Sequence, residues 1–146
     1  MSDEQKYDAL KLDNQLCFPL YAASREVVKR YRPYLEPLDL TYTQYIAMMV
    51  FWEQKKCSVK ELGECLYLDS GTLTPVLKSL EAKGYVRRYR STEDERVLLV
   101  EVTEEGMRLR GRAAEVPEQV GGCLRLSKEE AGQLYGLLYR LLAEIE

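Results

Sequence analysis

Four cysteines, Cys17, Cys57, Cys65 and Cys123, are the residues of this sequence best equipped for covalent chemistry. No two form a Cys-x-x-Cys pair and the chain has no histidine, which argues against a structural zinc site. A standing disulfide framework is not expected in a reducing cytosol. Two readings stay open for each thiol: a small buried hydrophobe, or a redox-active group that passes through sulfenic acid to a disulfide. A second set of side chains suits a polyanion. Ser70, Thr72 and Thr74 precede Lys78, and between Val76 and Arg90 five bases (Lys78, Lys83, Arg87, Arg88, Arg90) face Glu81 alone. From Glu101 onward nine acids oppose six bases, so the net charge of −3 conceals one end able to attract phosphate. Such a cluster also occurs as an ordinary solvated face.

The elements that must position these groups can be read from periodicity. At 146 residues, 46% hydrophobic and 31% charged, the chain has the size and balance of one soluble domain. The acidic, polar opening has no apolar run behind it, and no apolar stretch reaches membrane-spanning length. The expectation is a cytoplasmic protein without leader or membrane contact.

Apolar spacing predicts a long helix over 12–35 that closes at Pro37, with Pro33 disturbing its last turn and Pro19 kinking it just past Cys17. Thr43 is the expected cap of a second helix through Trp52, and Ser58 that of a short third, Val59 to Leu66. Ser70 or Thr72 caps a fourth, with Pro75 placed in its first turn and Gly84 as its stop. Residues 85–90 and 97–102 read as two strands joined by the polar loop 91–96. A further helix starts at Thr103 and is interrupted by Pro117 and Gly121-Gly122; Ser127 to Glu130 is a capping box for the last helix, 127–145.

Four helices, a hairpin and two helices give a mainly α fold with a small β wing, a winged helix-turn-helix. In that arrangement the start of the fourth helix enters the major groove, presenting Ser70, Thr72, Thr74, Pro75 and Lys78. Arg88, on the first wing strand, is expected to contact DNA as well. Arg96 at the wing tip suits the minor groove, with Asp94 placed to hold it by an ion pair. Lys78 and Lys83 add phosphate contacts that orient the protein without reading sequence. The leucine-rich stripe of the last helix either packs within its own domain or forms a dimer seam. Two-fold operators favour the dimer.

Leu66 to Pro75, followed by Leu77-Lys78, resembles the recognition region of MarR-family regulators, as does Asp94-Glu95-Arg96 in the wing. Asn14-Gln15-Leu16-Cys17-Phe18, with Tyr21 and Tyr31 downstream, resembles the organic-hydroperoxide-sensing (OhrR-type) branch. The resemblance implies a single domain over 1–146, with helices 12–35 and 104–146 for dimerisation and a DNA-binding lobe over 43–103. It implies a homodimer on a pseudo-palindromic double-stranded DNA operator, no cofactor and no metal. In this branch the counterpart of Cys17 is the peroxide-reactive thiol. The counterparts of Tyr21 and Tyr31 hydrogen-bond it, one of them across the dimer. In one group of members a small thiol caps the sulfenic acid. In the other a second cysteine on the partner subunit, near the start of the last helix, forms a disulfide with it, and Cys123 stands at that place.

Physical chemistry agrees with the implied roles. Cys17 and Tyr21, four apart, share a helix face, whereas Tyr31 is too far along the helix to meet the same thiol within one chain. Leu16, Phe18 and Leu20 make an apolar surround suited to an organic hydroperoxide as oxidant. Cys57 and Cys65 read as packing residues, and Tyr42, Tyr45, Tyr135 and Tyr139 as core or dimer-seam residues. Competing readings are a regulator released by a small aromatic ligand, a thiol peroxidase, and an architectural winged helix without DNA specificity. Repression is the family expectation.

Overall fold

The structure, a computed structural model, describes residues 2–145; positions 1 and 146, the ends of the expected domain, lie outside the described residues. Its elements are α1 (Asp3–Lys6), α2 (Cys17–Leu35), α3 (Tyr42–Gln54), β1 (Lys56–Ser58), α4 (Val59–Leu66), α5 (Ser70–Ala82), β2 (Val86–Arg90), β3 (Leu98–Val102), α6 (Glu104–Ala113), α7 (Val116–Gly121) and α8 (Lys128–Glu144). The helix–turn–helix is α4–α5 and the wing is β2–β3, so the winged helix-turn-helix expectation holds. β1 was not expected. It adds a third antiparallel strand in the order β1-β3-β2, with Cys57 opposite Val100 and Arg88 on the other side of Val100. Three residues are too few to show a period-two pattern.

The helix starts follow side-chain capping, and two expected caps are corrected. Thr41 rather than Thr43 caps α3, through a reciprocal box with Gln44. Asp69 rather than Ser70 or Thr72 caps α5, its carboxylate accepting from the Thr72 amide at 2.7 Å. Ser58 with Glu61 and Ser127 with Glu130 form the boxes that open α4 and α8.

The prolines are corrected too. The helix expected from residue 12 begins at Cys17, after two 3-10 turns at Asp8–Leu10 and Leu12–Asn14. Pro19 is therefore its third residue, where an N–H has no partner within the helix, and the expected kink has no cause. Pro75 is the sixth residue of α5, beyond the first turn, and forfeits one backbone bond there. Pro117 opens α7 instead of merely interrupting a helix.

One core runs from Leu35 through Met48, Phe51, Leu62, Leu73, Leu77, Leu80 and Val100 to Leu109, Val116 and Val120. Each fully buried side chain of this size contributes about 1.5–3 kcal/mol. The boundary expected at 103 is no break in packing, because α6 and α7 bury their apolar faces in the same core as the lobe. Two tight approaches join them. The Trp52 indole donates to the Gly106 carbonyl at 2.8 Å, and any Cβ at Gly106 would stand 2.2 Å from the Tyr85 carbonyl oxygen.

The exceptions to this packing lie at the two ends of the chain. Phe18, Leu20 and Val28 on α2 are exposed, and so are Leu134, Leu137 and Leu141 on α8, which has no buried residue.

Candidate nucleic-acid interface and thiol site

The candidate reading face is built by the burial of its opposite side. Leu73, Leu77 and Leu80 fix α5 in the core, which turns Ser70, Thr72, Thr74, Pro75 and Lys78 to solvent. Thr72 is held at the third helical position by Asp69, and that amide bond keeps the Asp69 carboxyl below its ordinary pKa. The Thr74 hydroxyl donates back to the Ser70 carbonyl at 2.8 Å, leaving its oxygen as an acceptor. Lys78 has no ion pair among the described residues.

The wing tip is a structured turn. The Ser91 hydroxyl accepts from the amides of Glu93 and Asp94, and the Val97 amide donates to the Asp94 carbonyl. Asp94 grips Arg96 twice, through the guanidinium at 3.1 Å and the backbone amide at 3.0 Å, while the arginine side chain stays 91% exposed. The guanidinium bond holds the Asp94 carboxyl below its usual range. Ser70, Thr74 and Arg96 line one cleft of about 710 Å³, with Lys60 and Tyr67 beside them. The structure thus brings the helix start and the wing tip together.

Two basic residues expected at the DNA, Arg88 and Lys83, turn inward instead, each held by an internal partner. Arg88 pairs with Glu81 at 3.0 Å, and its backbone amide donates to the same carboxylate. The guanidinium is mostly covered, so Arg88 braces the wing against α5. Lys83 donates to the Asp39 carbonyl and, at 3.1 Å, to Gln44, whose amide donates in turn to Ser79 at 2.9 Å.

The thiols lie apart. Cys17 is the first residue of α2, exposed, with Tyr21 one turn on and exposed as well, and no hydrogen bond reaches its sulfur among the described residues. The Arg25 guanidinium lies over the Tyr21 ring at 5.4 Å. Tyr31 stacks on Tyr42 and Tyr45, with ring centroids 4.9 and 5.8 Å away. Burial pushes the Tyr42 hydroxyl above its ordinary pKa, helped by Tyr31, so it stays a neutral donor. Cys123 follows α7, and its sulfur lies 3.5 Å from the Tyr34 hydroxyl. Tyr34 is 17 residues beyond Cys17 on one helix, about 25 Å away at 1.5 Å per residue. A disulfide needs Cα atoms within about 7 Å, so Cys17 and Cys123 of one chain cannot pair in this conformation. All four cysteines are free.

The functional parts of three residues go beyond the sequence reading, in which Tyr42 figures as a core or dimer-seam residue only. Asp69 was visible as a capping residue ahead of Ser70. Tyr34 and Tyr42 had no local signal, because only the packing of α7 and α3 on α2 gives them their partners.

The family model of the transcriptional regulator SarA/Rot matches residues 29–111. The organic hydroperoxide resistance transcriptional regulator of Bacillus subtilis is 50% identical over 139 residues, covering 95% of each chain. Among solved structures, reduced AbfR of Staphylococcus epidermidis bound to DNA is 33% identical and superposes with a TM-score of 0.76 over 96% of this chain and 97% of that one. Disulfide-formed AbfR, also 33% identical and matched over 97% of each chain, gives 0.61. The conformation described above is nearer to the reduced, DNA-bound neighbour.

Proposed function

This chain belongs to the MarR-type transcriptional regulators that include SarA and Rot, in the organic-hydroperoxide branch, and from that premise we propose that it is a homodimeric repressor released from its operator by oxidation of Cys17. The observation that carries the reading is the geometry of α2. The helix presents an exposed thiol at its first residue and the contact to Cys123 near its other end, too far apart to react within a chain. Two copies with antiparallel α2 helices bring Cys17 of one to the Tyr31, Tyr42 and Cys123 end of the other. The uncovered apolar faces of α2 and α8 supply the seam.

In the reaction the Cys17 thiolate attacks an organic hydroperoxide. The S–O bond forms, the O–O bond breaks, and the leaving alkoxide takes a proton to become an alcohol. Tyr21 from the same helix, with Tyr31 and Tyr42 of the partner subunit, donates hydrogen bonds to the sulfur and orients it toward the peroxide. Leu16, Phe18 and Leu20 give the thiol an apolar surround that prefers an alkyl hydroperoxide to hydrogen peroxide. Cys123 of the partner subunit then displaces hydroxide from the sulfenic acid, which leaves as water when protonated, and a disulfide remains.

Release follows from geometry. Reading helices must sit one duplex turn apart, roughly 34 Å, to meet two half-sites. A disulfide that draws opposite ends of two α2 helices together rotates the lobes out of that spacing. Losing about 3–4 kcal/mol of binding weakens affinity several-hundred-fold. Ser70, Thr72, Thr74, Pro75 and Lys78 read the major groove and Arg96, held by Asp94, enters the minor groove.

The test is fluorescence anisotropy of the reduced protein on its own upstream DNA, before and after stoichiometric organic hydroperoxide. Wild type releases the DNA, and Cys17→Ser stays bound. Binding that ignores peroxide leaves the DNA-binding reading standing and removes the sensor. A second reading, release by a small aromatic ligand, is favoured by one cleft of about 560 Å³ between α2 and α3, where Arg32 and Lys83 meet Val28, Leu35 and Tyr42. Ligand-driven release from Cys17→Ser supports it.

A further inference from the structure

Tyr31 and Tyr34 stand three apart on α2, so they share a face with their Cβ atoms roughly 5–6 Å apart. Both are half-buried and packed against the core. Tyr31 belongs to the tyrosine cluster with Tyr42, while Tyr34 holds the sulfur of Cys123. The backbone at Cys123 is held by its amide, which donates to the carbonyl of buried Val120 at 2.9 Å, whereas the side chain has fewer ties. Gly121 and Gly122 precede it without side chains, and a Cβ added at Gly121 would meet nothing within 4 Å. Besides Tyr34, the thiol's hydrogen-bond partner among the described residues is the Gln119 carbonyl at 3.7 Å, to which it can donate. With the thiol proton directed at Gln119, the sulfur lone pair is free to accept from the Tyr34 hydroxyl.

We infer that Tyr34 is the positioning residue for the resolving thiol: it anchors Cys123 one helical turn from the tyrosine cluster that receives Cys17 of the partner subunit. The inference rests on the reading of Cys123 as the thiol that resolves the sulfenic acid. The reaction it assists forms the S–S bond between Cys123 and the oxidised Cys17 of the partner subunit and breaks the S–O bond made earlier by the organic hydroperoxide. The proton of the Cys123 thiol goes to solvent, and hydroxide leaves as water. Tyr34 is not consumed. Its hydroxyl donates to the sulfur as negative charge develops there, an interaction the Gln119 carbonyl cannot provide. The Tyr34 hydroxyl is itself raised above its ordinary pKa, chiefly by this hydrogen bond, which keeps it a donor.

Tyr34→Phe removes the hydroxyl and keeps the ring. The experiment is single-turnover oxidation of full-length wild type and Tyr34→Phe by an alkyl hydroperoxide. The Cys17 sulfenate is followed as its chromophoric adduct with a trapping reagent, and the disulfide on non-reducing gels. The expected result splits the two steps. Sulfenate forms at the wild-type rate in the variant, then persists, because the disulfide forms roughly five- to tenfold more slowly, the loss expected for one hydrogen bond. Thermal melting and DNA binding by the reduced variant stay at wild-type values, which separates this role from a general loosening. Wild type that makes the disulfide no faster than Tyr34→Phe overturns the assignment of Tyr34 alone. Wild type that forms sulfenate but never a disulfide, and accepts an added small thiol instead, overturns the resolving role of Cys123 and this inference with it.

Discussion

Lys83, one residue past the recognition helix, donates a hydrogen bond to the backbone carbonyl of Asp39, whose carboxylate lies 3.6 Å from the same ammonium. Asp39 follows the 3-10 turn Glu36–Leu38 that continues α2, and it sits in the left-handed region at φ 54°. The end of the long helix that carries Cys17 is thereby tied to the end of the helix that reads DNA. Gln44 and Ser79 extend the tie into α3 and α5.

Lys83→Met is therefore expected to weaken the redox response more than the DNA binding itself. Reduced protein should bind its operator within about threefold of wild type, since Lys83 faces inward, whereas the loss of affinity on oxidation should shrink by about tenfold. A coupling energy of about 1–3 kcal/mol is of this size. Anisotropy titrations of both redox states, compared as a ratio, check it. Unchanged coupling would show that the motion passes by another route.

At the wing, Arg96→Ala and Asp94→Ala should differ in kind. Arg96→Ala removes one cation from each protomer, so affinity falls and the slope of log K against log salt drops by about 2 for the dimer. Asp94→Ala leaves the cation but frees it, so affinity falls less and the slope is unchanged. Titration over a salt series distinguishes the two. Arg88→Ala should act on stability first, because it leaves Glu81 without its partner inside the α5–wing contact.

How much of this was legible beforehand follows from how local each signal is. The order of helices and wing, the Ser58 and Ser127 caps and the Asp94–Arg96 pair depend on residues at most four apart, and each was readable. The start of α2 was missed because Leu12, Leu16 and Leu20 keep helical spacing across a break. What stops the helix there is the folding of residues 8–15 on themselves, with Gln15 bonded to the carbonyls of Ala9 and Lys11. β1 exists only because Val100 lies beside it. Tyr34 and Tyr42 gained roles through contacts far along the chain, which no periodicity encodes.

The cysteines should separate by reactivity. Burial pushes the Cys57 thiol up to about 11, whereas Cys17, Cys65 and Cys123 are exposed. Because the thiolate is the reacting species, iodoacetamide at neutral pH should label those three and spare Cys57. Labelling of Cys57 should require denaturant or a pH near 11. Peptide mass spectrometry reads the pattern, and early labelling of Cys57 at neutral pH would mean that β1 opens readily.

Acid should loosen the reading head through its caps. The carboxyls of Glu61, Asp69 and Glu130 are held below their ordinary values chiefly by backbone amides, and those of Glu81 and Asp94 by Arg88 and Arg96. A carboxyl lowered in the folded state contributes stability that is complete above its unfolded value, about 4, and is lost as pH falls through the folded value. Urea midpoints should hold level from about pH 7 to 5 and decline below about 4. Asp69→Asn, an equally good cap without a charge, should match wild type at neutral pH and decline less in acid. A decline already present at pH 6 would point to other groups.

The last helix decides whether any of this operates in pairs. Leu134, Leu137 and Leu141 recur along one side of α8, exposed by 45%, 63% and 43%, and Tyr135 stacks on Tyr139 at 4.7 Å. A stripe of leucines left uncovered among the described residues costs solubility unless a second copy covers it. Substituting Leu137 and Leu141 together by Glu puts two charges in that seam and removes two leucines that a second copy would cover. Sedimentation should then find a monomer. The melting of the lobe should change little, because α8 contributes nothing to the core. DNA affinity should fall by about a hundredfold or more, the loss expected when two half-sites are no longer engaged together. The same variant should form sulfenate but no disulfide, since Cys17 lies about 25 Å along α2 from Tyr34, which Cys123 of the same chain contacts. A double variant that stays dimeric would place the seam on the exposed face of α2 instead.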